Sequence, residues 1–345
     1  MLIVMKPGAT EGQITEVLDK IKGLGLQGHP LPGQERTAIG ITGNQGPVPK
    51  EPFDSLTGVA QTISVSQPYK LVSREMQGES TRVRVGDQEV GGGLFHVMAG
   101  PCSVESREQI FRAADAVAQA GATFLRGGAF KPRTSPYAFQ GLKEEGLRYL
   151  AEARERTGLQ VVTEVKDTET LELVAHYADV LQVGARNMQN YSLLEAIGKI
   201  DRPVLLKRGM SATVKEVLMA AEYIFSNGNQ RVILCERGIR TYETATRNTF
   251  DLGGMAVLRS MTHLPVIADP SHGIGIRRFV PSMARAAAAV GCDGLIVEVH
   301  PEPEVALSDG QQSLTPEQFE QMMDELKAIL PIVHQTLAST SSRKN

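Results

Sequence analysis

From residue 95 onward the chain alternates eight short apolar runs with amphipathic segments, and this alternation restricts the fold more than any other feature. The runs read "FHVMAG", "ATFLRG", "LQVVTEV", "DVLQVGA", "PVLLKRG", "RVILCERG", "PVIADPS" and "GLIVEVH". Short, nearly continuous apolar runs suit strands buried on both faces. Helix start signals lie between them: Ser106 with Gln109, Thr213 with Glu216, and Thr315-Pro316 with Gln318 each spell a capping box. A strand, a helix and a second strand in that order require parallel pairing through a crossover. Eight such units in about 250 residues are the size of an α/β (β/α)8 TIM barrel. A doubly wound open sheet is the alternative, but no glycine-rich dinucleotide fingerprint follows any run.

The first 67 residues follow another pattern. "LIVM" is a short strand, and Thr10 with Gln13 makes a capping box ahead of Ile14, Val17, Leu18 and Ile21 at helical spacing. "GLGLQGHPLPG" and "RTAIGIT" predict two more strands, "PFDSLTGV" a short helix and "AQTISVS" a last strand. The order βαββαβ is that of a small ferredoxin-like α+β domain. Residues 68–94 read as a connector, with a hairpin predicted in "RVRVGDQEVGGG". The barrel is expected over 95–337 and a polar tail over 338–345.

A formal net charge of −3 offers no bulk attraction to nucleic acid or to an anionic membrane. No stretch approaches the ~18 apolar residues of a membrane span, and "MLIVMKPGATEG" lacks the basic leader of a signal peptide. The three cysteines, Cys102, Cys235 and Cys292, form an odd, sparse set that points to reduced thiols and a cytoplasmic setting. Cys235 inside a strand, Cys292 at the far end of the barrel and His96 inside the first run read as packing residues.

In a barrel enzyme, chemistry gathers at the C-terminal ends of the strands. Here those ends carry Cys102, Arg126, Glu164, Arg186, Lys207, Glu236 and Arg237, His272, and Glu298 with Asp309 in its loop. Arg126, Lys131, Arg133, Arg186, Lys207 and Arg237 are cations aimed at one cavity, which implies a substrate, or two, with several negative charges. Structural ion pairs with Glu164, Glu236, Glu144 or Glu145 account for one or two of them at most. Cys102, His272, Glu298 and Asp309 sit at strands one, seven and eight, neighbours once a barrel closes, and mix soft and hard donors suited to a divalent metal. Asp269 precedes a proline and is read as a turn former.

The stretches "AGPCSVES", "FLRGGAFKPRTSPYAFQG", "QVGARNMQN", "LLKRGM", "ILCERGIRT", "DPSHGIG" and "EVHPEPEVALSDGQQSL" closely resemble the 3-deoxy-7-phosphoheptulonate (DAHP) synthase family. The resemblance covers residues 95–337 in family order, and residues 1–67 resemble the ferredoxin-like extension of some short, barrel-core members. It implies condensation of phosphoenolpyruvate with erythrose 4-phosphate, the step that opens the shikimate pathway of aromatic amino acid biosynthesis. Carried over residue by residue, Arg126, Lys131, Arg186, Lys207 and Arg237 bind the enol phosphate, and Arg133, Thr134 and Ser135 bind the aldose phosphate. Lys131, Glu164, Lys207 and His272 are the catalytic groups. Cys102, His272, Glu298 and Asp309 hold one divalent ion, manganese, cobalt, iron, zinc or a similar metal.

The resemblance also implies a homotetramer and feedback inhibition through the N-terminal domain by tyrosine or phenylalanine. Two other readings stand beside it. An octulosonate 8-phosphate synthase would use arabinose 5-phosphate, but that family carries "KANRSS" where this chain has "KPRTSP". A catalytically inactive regulatory barrel is the other, and the presence of Cys102 and His272 weighs against it.

Overall fold

The computed structural model describes residues 1–33, 36–44, 46–63, 68–131 and 137–340. It contains two compact units, Met1–Glu79 with Ser260–His263, and Ser80–Arg259 with Leu264–Asn345.

In the first unit the strands β1 (Leu2–Met5), β2 (Gln27–Pro32), β3 (Thr37–Thr42) and β4 (Val59–Ile63) form one sheet in the order β2-β3-β1-β4. The pairs β1–β3, β1–β4 and β2–β3 are all antiparallel. Helix α1 (Glu11–Gly23) starts at the Thr10/Gln13 capping box, in which both reciprocal bonds form. Its Val17 and Ile21 pack with Ile3, Met5, Ile39 and Ile41 of the sheet, and Phe53 of the short α2 (Glu51–Asp54) joins the same core. This is the ferredoxin-like arrangement that the order of predicted elements implies.

The second unit opens with a hairpin, β5 (Val83–Val85) paired antiparallel to β6 (Gln88–Val90). Eight parallel strands follow: β7 (Leu94–Gly100), β8 (Phe124–Arg126), β9 (Gln160–Val165), β10 (Val180–Val183), β11 (Val204–Lys207), β12 (Val232–Glu236), β13 (Val266–Ala268) and β14 (Gly294–Glu298). Each pairs with the next, and β14 pairs with β7, so the sheet closes on itself. A short β15 (Thr336–Leu337) adds beside Leu94 and Phe95 of β7. The eight strands coincide with the eight apolar runs. Among the described residues no helix is long and apolar enough to cross a membrane.

Inside the barrel Met98, Phe124, Val162, Val180, Leu205, Ile233, Ile267 and Ile296 pack with Val83, Val85 and Val90 of the hairpin. All are at most 2 % exposed. These strand residues lie toward the N-terminal ends, so the hairpin valines stop that end of the barrel with apolar side chains. His96 is buried as expected: its ring nitrogens lie 3.0 Å from Thr123 Oγ1 and 2.9 Å from Glu89 O. The Thr213/Glu216 and Thr315/Gln318 boxes form in full. Ser106 makes only half a box. Its hydroxyl accepts from Gln109 N, but Gln109 turns away, its Oε1 accepting from Glu105 N and its Nε2 donating to Ser103 O.

Phe124 is fully buried in the apolar stack and meets the His96 ring edge to face. Phe124→Ala should cost about 3–5 kcal/mol of stability through the cavity left behind, measured by denaturant unfolding. A cost below about 1 kcal/mol would contradict the packed-interior account.

Candidate active site

At a parallel strand's C-terminal end, alternate side chains point into the barrel, and the loop beyond is free to bring in more. One cavity of about 380 Å³ results, lined by Arg126, Lys131, Glu164, Gln182, Arg186, Lys207, Arg237, Arg247, His272 and Asp309 among others. Six of these side chains are cations and two, Glu164 and Asp309, are carboxylates. Arg126, Lys131, Arg186, Lys207 and Arg237 are five of the six cations read from the sequence. Arg133, Thr134 and Ser135 lie outside the described residues.

The cations differ in how they are balanced. Arg126 is buried, and its Nη1 donates to Glu298 Oε1 at 3.0 Å and to Pro101 O at 2.9 Å. Its Nε is buried without a partner, and an orphaned buried donor marks an acceptor site. Lys131 Nζ donates to Cys102 O at 3.0 Å and lies 3.1 Å from Cys102 Sγ. Lys207, 4 % exposed, meets Asp269 Oδ2 at 2.5 Å. Arg237 is just as buried, yet among the described residues it forms no ion pair and donates only to Gly238 O at 3.2 Å. Burial lowers its guanidinium below the ordinary value, and Asp269 offsets this only in part. Arg186 is exposed at the rim. A buried charge without a partner is costly, so this cavity suits a small, multiply charged anion. Gly184 leaves room for Glu164, because a Cβ there would fall on the Glu164 carboxylate.

Beside the cations, Cys102, Glu298 and Asp309 each offer one ligand atom within 4.8 Å of the others. His272 Nε2 lies 3.6 Å from Glu298 Oε1 and 3.9 Å from Asp309 Oδ2. The fold thus gathers the four residues read as a ligand set. Burial first, and then the Glu298 charge, push the Cys102 thiol up to about 11. Burial alone would raise the Glu298 carboxyl, but His272 and Arg126 hold it below the usual range. A thiol and two crowded carboxylates, two of the three buried, fit a divalent cation, which would offset the repulsion and favour the thiolate.

Sequence reasoning misses four parts of the site. Asp269 caps the helix Pro270–Ile274 as a turn former should, its Oδ1 accepting from His272 N at 3.0 Å. Its Oδ2, however, also meets Lys207 and lies 2.8 Å from His272 Nδ1, a second contact that the turn role does not foretell. Burial would raise this carboxyl, but His272 and Lys207 hold it well below the usual range. Arg247 reaches the cavity from the loop after β12, with Nη1 2.6 Å from Gln312 Oε1 and 3.3 Å from Asp309 Oδ1. Gln312 in turn donates to Glu298 Oε2 at 2.6 Å, and Gln182 donates to Glu164 Oε2 at 3.3 Å. No strand-end position marks Arg247 or Gln312. Gln182 lies inside an apolar run, where an amide reads as an interruption.

One residue read at the rim has another role. Glu236 is fully buried and pairs with Arg208 at 2.8 Å without lining the cavity. Cys235 and Cys292 are buried thiols, and burial raises both, Cys292 to about 12.

An anion bound only by the folded chain stabilises it by RT ln(1 + [L]/Kd). Inorganic phosphate should therefore raise the thermal unfolding midpoint of the full chain, and Arg237→Ala should remove most of that rise. Absence of any rise in the unmodified chain would sink the anion-site reading.

Comparison with known proteins agrees with the fold. Residues 73–332 match the model of the DAHP synthetase I family, and residues 1–67 match the DAHP synthase ferredoxin-like domain. A phospho-2-dehydro-3-deoxyheptonate aldolase from Thermotoga maritima is 51 % identical over 95 % of this chain and 97 % of its own. A crystal structure of phospho-2-dehydro-3-deoxyheptonate aldolase (DAHP synthase) from Thermotoga maritima superposes with a TM-score of 0.78 at 49 % identity, covering 98 % of this chain and 99 % of that one. A 2-dehydro-3-deoxyphosphooctonate aldolase from Syntrophotalea carbinolica is more distant, 33 % identical over 73 % of this chain and 96 % of its own. With its barrel and its N-terminal domain both matched, the chain belongs to the DAHP synthetase I family.

Proposed function

We propose that this chain is an enzyme that condenses phosphoenolpyruvate with D-erythrose 4-phosphate and water, giving 3-deoxy-D-arabino-heptulosonate 7-phosphate and inorganic phosphate. The observation that carries the reading is a cavity with six cations to two carboxylates, built around the buried, unpaired Arg237. A doubly ionised phosphate and a carboxylate on one small molecule balance that excess. The 51 % identity to a phospho-2-dehydro-3-deoxyheptonate aldolase, against 33 % for an octonate aldolase, supports erythrose 4-phosphate as the second substrate.

Arg126, Lys131, Arg186, Lys207 and Arg237 hold the phosphate and carboxylate of the enol phosphate. Their work is positioning and electrostatic, since fixed donors in a partly buried cavity need no reorganisation as charge moves. Arg133, Thr134 and Ser135 take the aldose and its phosphate. C3 of the enol phosphate attacks the aldehyde carbon, and Lys131 delivers a proton to the aldehyde oxygen. Positive charge develops at C2, where water adds, and the resulting hemiketal phosphate breaks its C2–O bond to release inorganic phosphate and leave the C2 ketone. Glu164, fixed by Gln182, orders and deprotonates that water together with Lys207. Cys102, His272, Glu298 and Asp309 are the residues that would hold a divalent ion such as manganese, cobalt, iron or zinc. Bound there, it would act as a Lewis acid on the aldehyde. Asp269 keeps Lys207 and His272 in place from behind.

The chain is read as residues 1–67 regulatory, 68–94 connector, 95–337 catalytic barrel and 338–345 tail. The first of these binds an aromatic amino acid, the assembly is a homotetramer, and the setting is cytoplasmic. Family likeness supports these finer readings.

Mixing the two substrates with the full chain should release one phosphate per product, and arabinose 5-phosphate should be a much poorer partner. Tyrosine or phenylalanine should slow the reaction. If neither inhibits the full-length enzyme, the regulatory reading fails. Chelation should abolish turnover, and divalent manganese, cobalt or iron should restore it. Cys102→Ser should bind metal about 10- to 1,000-fold more weakly, since a soft thiolate donor is lost from the set, measured by competition with a chelating dye. Full activity of Cys102→Ser after chelation would overturn the ligand assignment.

A further inference from the structure

Lys207 and Arg237 reach the cavity from adjacent strands, and a second set of charges lies on the side of those strand ends away from it. Strand alternation puts Arg208 and Glu236, the chain neighbours of Lys207 and Arg237, on that opposite side. Neither lines the cavity, and neither does Asp251. Arg208 Nη1 lies 2.8 Å from Glu236 Oε2 and 2.8 Å from Asp251 Oδ2, and its Nε donates to Ala212 O at 2.8 Å. The other Glu236 oxygen, Oε1, accepts from Gly238 N at 2.6 Å. Asp251 Oδ1 accepts from Gly254 N at 2.7 Å, at the start of the helix Leu252–Met261. Glu236 is fully buried, and the Arg208 side chain is 6 % exposed.

Several bonds of this set fall on backbone that flanks a cavity cation, Arg208 Nε on Ala212 O and Glu236 Oε1 on Gly238 N among them. Arg208 N donates to Cys235 O at 2.9 Å, and Asp269 N donates to Glu236 O at 2.8 Å. Glu236 therefore bonds the chain on both sides of Arg237, through its own backbone and through Gly238 N. Gly238 has φ +87°, and a Cβ there would crowd Asn248 and Gly273. The chain turns sharply straight after Arg237, and the Glu236 carboxylate closes that turn. Ala212 O fixes the loop that follows Lys207 in the same way.

We infer that Glu236, with Arg208 and Asp251, is a positioning residue that sets the spacing and direction of Lys207 and Arg237 for the anionic groups of the enol phosphate. Such a buried ionic set is a poor source of stability in itself, yet a shift of about 1 Å in a positioned group can cost about 100-fold in rate. The inference rests on the proposed function, because it takes phosphoenolpyruvate as the occupant.

The test measures phosphoenolpyruvate binding by calorimetry and steady-state kinetics for the full chain, Glu236→Gln and Asp251→Asn. Glu236→Gln keeps the shape but removes the charge that binds Arg208. It should raise the Kd and KM for phosphoenolpyruvate about tenfold, with the KM for erythrose 4-phosphate changed less than twofold. Asp251→Asn leaves the Arg208–Glu236 pair intact and should give a shift of about threefold with the same selectivity. It also carries the test if Glu236→Gln does not fold. An equal rise in both KM values, or a loss of kcat alone in step with the folded fraction, would overturn the inference. An unmodified chain that binds no phosphoenolpyruvate would instead remove the proposed function itself.

Discussion

Like charges crowded into a barrel mouth repel one another, and the site's architecture depends on how that repulsion is met. Arg126, Lys207 and Arg208 are buried, and each is matched to a buried acid: Glu298, Asp269 and Glu236. The acids come from strands or strand ends other than those of the cations they face. The closed sheet is what brings them together, since β14 must return beside β7, the neighbour of β8, for Glu298 to reach Arg126. Among the described residues Arg237 has no such match. Among the described residues three buried cations of the neighbourhood are thus balanced and one is not, and a buried charge without a partner favours the entry of an anion.

The Arg126–Glu298 pair also joins the two halves of the site. Glu298 Oε1 faces both Arg126 and His272, and Glu298 Oε2 takes a proton donor from Gln312, which holds Arg247. The cationic wall and the Cys102–Glu298–Asp309 group thus share one carboxylate. A change of charge on either side is felt by the other through a buried, hydrogen-bonded group, where the effective dielectric is lower than in water.

The barrel was legible in the sequence because its signal is periodic and repeated eight times. Each run needs only to be apolar and short, and a helix start needs only Thr with a Glu or Gln three residues on. Arg126, Arg186, Lys207, Arg237, Cys102, His272 and Glu298 were legible for the same reason, since each stands at or just beyond a strand's end, whereas Lys131 and Asp309 come from the loops that follow. Asp269 was missed because one carboxyl group does two things, and capping by Oδ1 accounts for the residue before its Oδ2 is considered. Arg247 and Gln312 come from loops, whose course depends on tertiary packing and on no local period. The Ser106 box failed in part because Gln109 found partners in Glu105 and Ser103, a competition between equal hydrogen bonds that sequence spacing does not rank.

The hairpin at the other end of the barrel has a consequence for charge. Val83, Val85 and Val90 are at most 2 % exposed and pack into the apolar barrel interior. A medium of low polarizability on one side and solvent on the other makes the field of the rim cations one-sided. Field lines that cannot spread downward leave through the mouth, so the potential there is stronger than the same charges would give on an open surface. A plug of three valines thereby lengthens the reach over which a passing anion is drawn in, and does so for a chain whose net charge is −3.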